Sequence, residues 1–507
     1  MFRCAASCED ARVPPMPRAV PSEAPPCRPR PVRSHPVPTI DRKPCCPMTH
    51  SSQASPYTPP FAVPELPFEE AVRRAADTGT IPGDAGPLLE TVVDILDELD
   101  RPDKHFDVLQ VAGTNGKSST TRFAAAILAG EGLRTALYTS PHLVRYPERM
   151  EVCGRVVSDA AFAHGVSAAF EAGRRVNARR QHAGLATYTI TPFDLLTVAA
   201  LVIFAEAEVD VAVLEVGLGG RWDATSATNP VGVAVTGIGL DHMRILGDTL
   251  AQIAGEKAAV IQPGRFAVLG EGVHQPEVWP IMRGRCAETG VVPDMPVFRV
   301  LHEPATLGDE LRVEVRTRRA AYEAALVKPL YQAQNAACAI QLAERYLDRP
   351  LDAGALARSL AACPTPGRFE VVRREPLVLI DACHNPQSCA SFISSVGEIE
   401  PARAERPTLL IAALADKDAE GIVRALVPAF PHVRVTQTDS PRARPVRELA
   451  ALVADELARE GRPPEDLVAT HASVTEALDA VTRAGEAIVA AGTITLAGEV
   501  AARFAAW

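Results

Sequence analysis

Three short segments, Val108–Ala112, Val209–Val216 and Val231–Ile238, are apolar on both faces and separated by stretches with helical patterning. A strand that is apolar on both faces must be covered on both faces. In a chain that alternates strand and helix, this means a parallel sheet sandwiched between helices. Further such strands are expected near Leu377–Ile380, Leu409–Ala412, Val433–Thr436 and Ile488–Ala491. Between the two sets, residues 264–330 alternate with short period (Val297–Leu301, Leu311–Val315), which predicts antiparallel strands at one edge. A helix over Ala333–Leu347 leads to Arg349-Pro350, the expected boundary between a domain at 65–348 and a smaller one at 349–507.

The first strand runs into Val111-Ala-Gly-Thr-Asn-Gly-Lys-Ser-Ser119, and a helix is expected from about Ser119 to Ala129. Strand, glycine loop and helix in this order make a phosphate loop. Backbone N–H groups of Gly113, Thr114, Asn115 and Gly116 and the helix N-terminus face anionic oxygens, Lys117 reaches the outer phosphates, and Ser118 or Ser119 can meet Mg²⁺. Only six of the 52 basic residues are lysine, at positions 43, 104, 117, 257, 328 and 417. A chain so biased towards arginine keeps a lysine either where an arginine would not serve or by chance, and Lys117 falls inside a motif that uses one.

The next two apolar strands end in candidate metal ligands. Glu215 closes the first of them, and Asp241-His242 lies just past the second. Ligands of open α/β sheets bind outside the carboxyl ends of the strands, so both fall beside the phosphate loop. A helix capped by Asp248 is expected next. Its apolar stripe includes Leu250, Ile253, Ala254, Val260 and Ile261, and Lys257 falls on it. Two readings stay open for Lys257: a snorkelling cation, or a neutral amine that reacts with CO₂ to form a carbamate, an anionic oxygen ligand.

The short loop, with two residues between Gly113 and Gly116, resembles that of the Mur ligase superfamily, and VAGTNGK is similar to the dihydrofolate synthase/folylpolyglutamate synthase family. That family has Gly where this chain has Ser118. Gly239–Lys257 resembles its DHxxxLGxTxxxIAxEKA segment, Thr139–Arg149 its substrate loop, Gln332–Asn335 its HQxxNA motif with Tyr331 for histidine, and Leu379–Pro386 its DGAHNP motif with Ala382-Cys383 for Gly-Ala. Thr365–Phe369, Asp416–Asp418 and Ala491–Gly498 continue the likeness, which covers most of residues 65–507. The fold it implies is α/β: an N-terminal P-loop-type doubly wound, mostly parallel sheet with an antiparallel edge, and a smaller C-terminal Rossmann-like domain.

The resemblance implies ATP-dependent ligation of L-glutamate to dihydropteroate or to reduced folates through an acyl phosphate. Lys117, Lys257, Glu215 and His242 are its catalytic set. Asn335, Arg368 and Asp381 join the loop in binding ATP. Ser119, Ser140, Glu215, His242 and a CO₂-derived carbamate on Lys257 hold one or two Mg²⁺ ions. Thr191, Phe193, Trp222, Asp223 and His384 contact substrate, with Trp222 either stacking on the pterin or filling its pocket. Two alternatives are another Mur-type amide ligase and a non-catalytic ATP-binding relative. Against the first, only about 50 foldable residues precede Gly113, too few for an ordinary extra domain.

Residues 1–47 hold twelve prolines and eight basic against four acidic residues, with no apolar h-region, and Met48 opens a more ordinary start. A disordered Pro/Arg-rich leader is expected over 1–64. A net charge of −10 without a basic stripe argues against nucleic acid as the main partner. The longest apolar run, Leu195–Ala205, is too short to span a membrane. Eleven scattered cysteines without zinc-type pairs read as thiols of a reducing compartment, so a cytoplasmic location is expected, and separately a monomer.

Overall fold

The computed structural model describes residues 56–76 and 89–504. Its larger sheet has seven strands: β1 (Asp107–Ala112), β2 (Thr135–Tyr138), β3 (Met150–Val152), β4 (Arg155–Val156), β5 (Val211–Glu215), β6 (Gly232–Gly237) and β7 (Phe266–Gly272). Their order is β4-β3-β2-β5-β1-β6-β7. The five strands from β2 to β7 in this order are parallel, and the β2–β3–β4 edge is antiparallel. The central position of β1 follows from its sequence: every residue from Val108 to Ala112 is buried, which only an interior strand permits.

Helices Phe68–Ala76, Leu89–Glu98, Asp159–His182 and Pro192–Glu206 share the core on one face of this sheet. Helices Lys117–Gly130, Leu330–Leu347 and Ala353–Ala362 share the core on the other. A second sheet, β11 (Glu370–Arg373), β12 (Val378–Ile380), β13 (Thr408–Ile411), β14 (Val433–Val435), β15 (Val468–Thr470) and β16 (Ile488–Ala491), has the order β11-β12-β16-β13-β14-β15. All its pairs are parallel except β11–β12, and helices cover both faces.

Four boundaries differ from the sequence reading. The antiparallel strands expected at an edge over 264–330 are β8 (Val297–His302), β9 (Leu311–Arg316) and β10 (Ala321–Leu326), which make a separate three-stranded sheet, while β7 joins the parallel one. Leu351, Leu356 and Leu360 lie beyond residue 349 yet pack into the core of the first lobe, because the helix Ala353–Ala362 rests on the helix after the phosphate loop. The expected leader, 1–64, lies outside the described residues through 55, as does Leu88. From 56 onward it is ordered: Tyr57 is buried and donates its hydroxyl proton to Leu99 O at 2.8 Å, and Phe61, Val63 and Leu66 pack on the same core. The helix expected to be capped by Asp248 is capped by Thr249, whose hydroxyl accepts from Gln252 N while the Gln252 side chain returns to Thr249 N.

Candidate active site

The phosphate loop crosses from β1 to the helix Lys117–Gly130 at the carboxyl edge of the larger sheet. Two glycines are required there by contact as well as by conformation. Gly113 has φ +146° and a Cβ on it would sit 2.1 Å from Thr236 Oγ1; Gly116, at φ +83°, would meet Asn335 Oδ1 at 2.1 Å. Neighbouring strand ends hold the loop: Thr114 N donates to Gly237 O (2.7 Å), and Thr236 Oγ1 donates to Asn115 O (2.6 Å). Lys117 Nζ donates to Thr114 O at 3.1 Å, which curls the side chain back over the loop.

In the β1–β5 pairing Val111 lies opposite Glu215, so the acid ends its strand beside the loop. Glu215 is 2% exposed, and both its oxygens are engaged: Ser118 Oγ donates to Oε1 (2.8 Å) and Ser140 N to Oε2 (3.0 Å). Burial raises its carboxyl pKa, against which Lys117, these two donors and Arg368 work. Ser119 is buried one residue on. Lys257 is 3% exposed and its Nζ donates to Gly113 O at 2.7 Å. Burial, with Lys117 nearby, pushes this amine down to about 7.

The histidine half is different. His242 sits at φ +48° before a single helical turn, Met243–Leu246, and its side chain is 55% exposed. Its nearest acid is Asp241, at 3.7 Å. Among the described residues no three or more His, Cys, Asp or Glu side chains lie close enough to share an ion. What the structure assembles beside the loop is one buried carboxylate with serine hydroxyls. Such hard oxygen donors fit a cation that takes its remaining ligands from phosphate and water, as Mg²⁺ does.

A cleft beside the loop brings the two lobes together. Ser118, Arg122, Thr139 and His142 line it from the first lobe, and Arg368 and Ala382 from the second. Asp381 is buried, with Oδ2 accepting from Phe369 N and Oδ1 from Cys383 N, each at 2.9 Å. Burial raises its pKa, opposed chiefly by Arg368. His384 Nδ1 donates to Ala382 O (2.9 Å); burial keeps its pKa low. Asn335 donates to Gln332 Oε1 (3.0 Å) beneath Gly116.

Of the residues expected to contact the pterin, Thr191, Phe193 and Asp223 also serve local structural tasks, and Phe193 and Asp223 meet at Gly217. Thr191 caps the helix Pro192–Glu206 in a capping box with Asp194. The Phe193 ring packs where a Cβ on Gly217 would come within 2.5 Å of it. Asp223 accepts from Leu218 N (2.9 Å), Thr225 N (3.0 Å) and Thr225 Oγ1 (2.5 Å), closing the glycine-rich turn after β5. Trp222 is 64% exposed and stands outside any core.

Sequence reasoning placed Thr139–Arg149 in a substrate loop without giving His142, Glu148 or Arg149 a role, and it missed Arg122. Arg122 Nη1 pairs with Glu151 Oε1 at 2.5 Å. Arg149 Nε donates to His142 Nδ1 at 3.0 Å, and burial with that guanidinium pushes His142 down to about 4. Glu148 accepts the backbone N–H groups of Leu143, Val144 and Arg145. The signals were the likeness of Thr139–Arg149 to a substrate loop and the charged Glu148-Arg149 pair that closes it.

A phosphate loop on a mostly parallel sheet, facing a second α/β lobe across a polar cleft, is the frame of a two-lobed nucleotide-binding protein. The Mur ligase, glutamate ligase domain, matches residues 367–494. The dihydrofolate synthase/folylpolyglutamate synthase of Mycobacterium tuberculosis is 34% identical over 412 residues, which span 78% of this chain and 82% of that protein. A structure of the Mycobacterium tuberculosis folylpolyglutamate synthase complexed with ADP and AMPPCP matches with a TM-score of 0.70 at 31% identity, covering 82% of this chain and 95% of that one. A bifunctional folylpolyglutamate synthase/dihydrofolate synthase from Yersinia pestis complexed with AMPPNP and Mn ion matches with a TM-score of 0.66 at 26% identity, covering 86% and 98%. The chain belongs to the dihydrofolate synthase/folylpolyglutamate synthase family of the Mur ligase superfamily. Among the described residues no helix is long and apolar enough to cross a membrane.

Proposed function

We propose that the chain, acting as a cytoplasmic monomer, ligates L-glutamate both to dihydropteroate and to the terminal glutamate of reduced folates. The observation that carries this is the cleft that Ser118 of the phosphate loop shares with Arg368 of the second lobe, beside the buried Glu215. A carboxylate oxygen of the acceptor attacks the γ-phosphorus of ATP and the bond to the β–γ bridging oxygen breaks, releasing ADP. The glutamate nitrogen then attacks the acyl carbon, the bond to the phosphate oxygen breaks, and the nitrogen loses a proton.

In this reading the backbone of Gly113–Gly116 and the helix N-terminus cradle the phosphates, and Lys117 swings from Thr114 O to the γ-phosphate. Asn335 and Asp381 take the nucleoside end, and Arg368 faces the phosphates across the cleft. Glu215, Ser119, Ser140, His242 and a carbamate on Lys257 are the oxygen and nitrogen groups that would hold Mg²⁺, which offsets phosphate charge when bound. The carbamate forms when the neutral amine bonds to the carbon of CO₂ and loses one proton; the remaining N–H still serves Gly113 O. Thr191, Phe193, Trp222, Asp223 and His384 border the acceptor and glutamate sites. Closure of the second lobe, which begins after the helix Ala353–Ala362, on the first completes them.

The test is ADP release with dihydropteroate and with tetrahydrofolate, each with and without L-glutamate. Glutamate-dependent release with both acceptors is expected. Release with tetrahydrofolate alone removes the dihydrofolate synthase half, and no release with either removes the reading. Lys117→Ala should lower kcat by at least about 10²-fold, the usual cost of removing a charge aimed at the transition state.

A further inference from the structure

Of the six lysines, Lys117 and Lys257 serve the loop, Lys417 lies in a family motif, Lys43 lies outside the described residues and Lys104 is exposed at the end of a short turn; Lys328, whose amine is buried, is the one left without a role. It sits between β10 and the helix Leu330–Leu347, two residues before that helix begins. Its Nζ donates to Phe369 O at 2.9 Å and lies 3.5 Å from Arg368 O, so a side chain of the first lobe grips the backbone that opens the second sheet.

That backbone has an unusual shape. Phe369 is fully buried at φ +49°, a left-handed conformation that a bulky residue adopts only when its surroundings impose it. The impositions are visible. Phe369 N donates to Asp381 Oδ2 (2.9 Å), Thr365 Oγ1 donates to Arg368 O (3.3 Å), and the ring packs against Phe392 with centroids 5.7 Å apart. Lys328 adds a hydrogen bond to this turn from the other lobe. A cation drawn out of water needs such carbonyl acceptors, and Glu370 and Asp381 add favourable charge. Lys328 thus connects the helix that carries Asn335 to the turn that carries Arg368.

We propose that Lys328 is a positioning residue: its grip on Phe369 O fixes the Arg368–Phe369 turn and thereby aims Arg368 at the nucleotide phosphates. The inference rests on the reading of Arg368 as an ATP contact. It predicts that Lys328 acts through Arg368 and has no independent effect on the nucleotide.

The experiment is a double-mutant cycle read by titration with ADP, on the full chain, using Lys328→Met, Arg368→Ala and the double variant. Lys328→Gln, a shorter donor, stands in if the methionine variant does not fold. Lys328→Met should weaken ADP binding about tenfold and raise KM for ATP similarly, with kcat at saturating ATP within about threefold of wild type. In the Arg368→Ala background the Lys328 change should add nothing. Additive losses, or unchanged ADP affinity in the Lys328 variants, overturn the proposal. An Arg368→Ala variant that binds ADP normally overturns the Arg368 reading and the proposal with it. ADP release by the wild type decides the ligase reading separately, since the cycle measures binding alone.

Discussion

Strands β5 and β6 flank β1 and both end at the phosphate loop, yet their ends are built differently. At β5, Glu215 is buried, donors occupy both its oxygens, and the adjoining turn is closed by Asp223. At β6, the chain runs into a segment in which Leu240, Met243 and Ile245 are exposed apolar side chains and His242 faces solvent. One half of the site is preorganised by the fold. The other is tied at its base, where Gly239 and Thr114 exchange hydrogen bonds and Gln275 Nε2 donates to Ile238 O, but it leaves the histidine side chain in solvent. Electrostatic catalysis draws most of its advantage from groups fixed before the reaction, so the β5 half should carry the larger share.

The largest expected effect is therefore at Glu215. Glu215→Gln keeps the shape and the hydrogen-bonding reach but removes the charge, and kcat should fall about 10³-fold, at the upper end for loss of one preorganised charged group. The comparison breaks if His242→Ala costs as much.

Lys257 gives the next largest effect and an opposite sign on stability. Lys257→Met should lose at least about 10²-fold in activity, the scale expected for a group that holds the metal site, and yet melt higher. Burial pushes the folded amine down to about 7 from its ordinary 10.5, so between these pH values the unfolded chain binds more protons. Stability of the wild type therefore rises with pH across that window, and the cost of burying the amine is fullest below about pH 7. The gain in Tm on replacing it, measured in CO₂-depleted, metal-free buffer, should be larger at pH 6 than at pH 10. A gap that widens on going to alkaline pH would show that Lys257 is charged in the fold.

This contrast also explains what could be read without coordinates. The phosphate loop was legible because its chemistry is contiguous: strand, two glycines at fixed offsets, lysine and helix. Lys257 was legible because it breaks a helical apolar stripe. The ordering of residues 56–66 was hidden because Tyr57 finds its partner at Leu99, 42 positions away. Thr191 and Asp223 were read as substrate contacts, yet the same atoms cap a helix and close a turn; a polar residue beside a strand end carries both meanings in the sequence. The Thr249–Gln252 capping box was visible in the sequence, and the acid one residue earlier drew the helix start instead. Lys328 is meaningful only through a carbonyl 41 residues away.

At the β6 end, His242→Ala should lower kcat by about tenfold, since a group exposed before binding gives up part of its interaction energy in being ordered. The clearer signature is a rise in the Mg²⁺ concentration needed for half-maximal activity, with Tm unchanged within a degree or two. A fall in Tm would mean that the histidine is part of the folded framework, and the contrast between the two strand ends would narrow.

Trp222 gives the smallest effect and the finest test. It follows the glycine turn of the preorganised half, but its ring is 64% exposed and it contributes to no core cluster. Replacing a side chain that is already in water creates no cavity, so Trp222→Ala should change stability by less than about 0.5 kcal/mol. What it can change is the acceptor. A flat pterin stacked on the indole gains about 0.5–1.5 kcal/mol beyond buried area, which corresponds to a two- to twelvefold rise in KM for dihydropteroate when the ring is removed. Trp222→Phe should recover part of this rise, and kcat should stay level, because stacking on the pterin leaves the reacting atoms untouched. If KM is unmoved while Tm drops by several degrees, the tryptophan serves the fold. The β5 half would then owe its rigidity to more than Glu215 and Asp223.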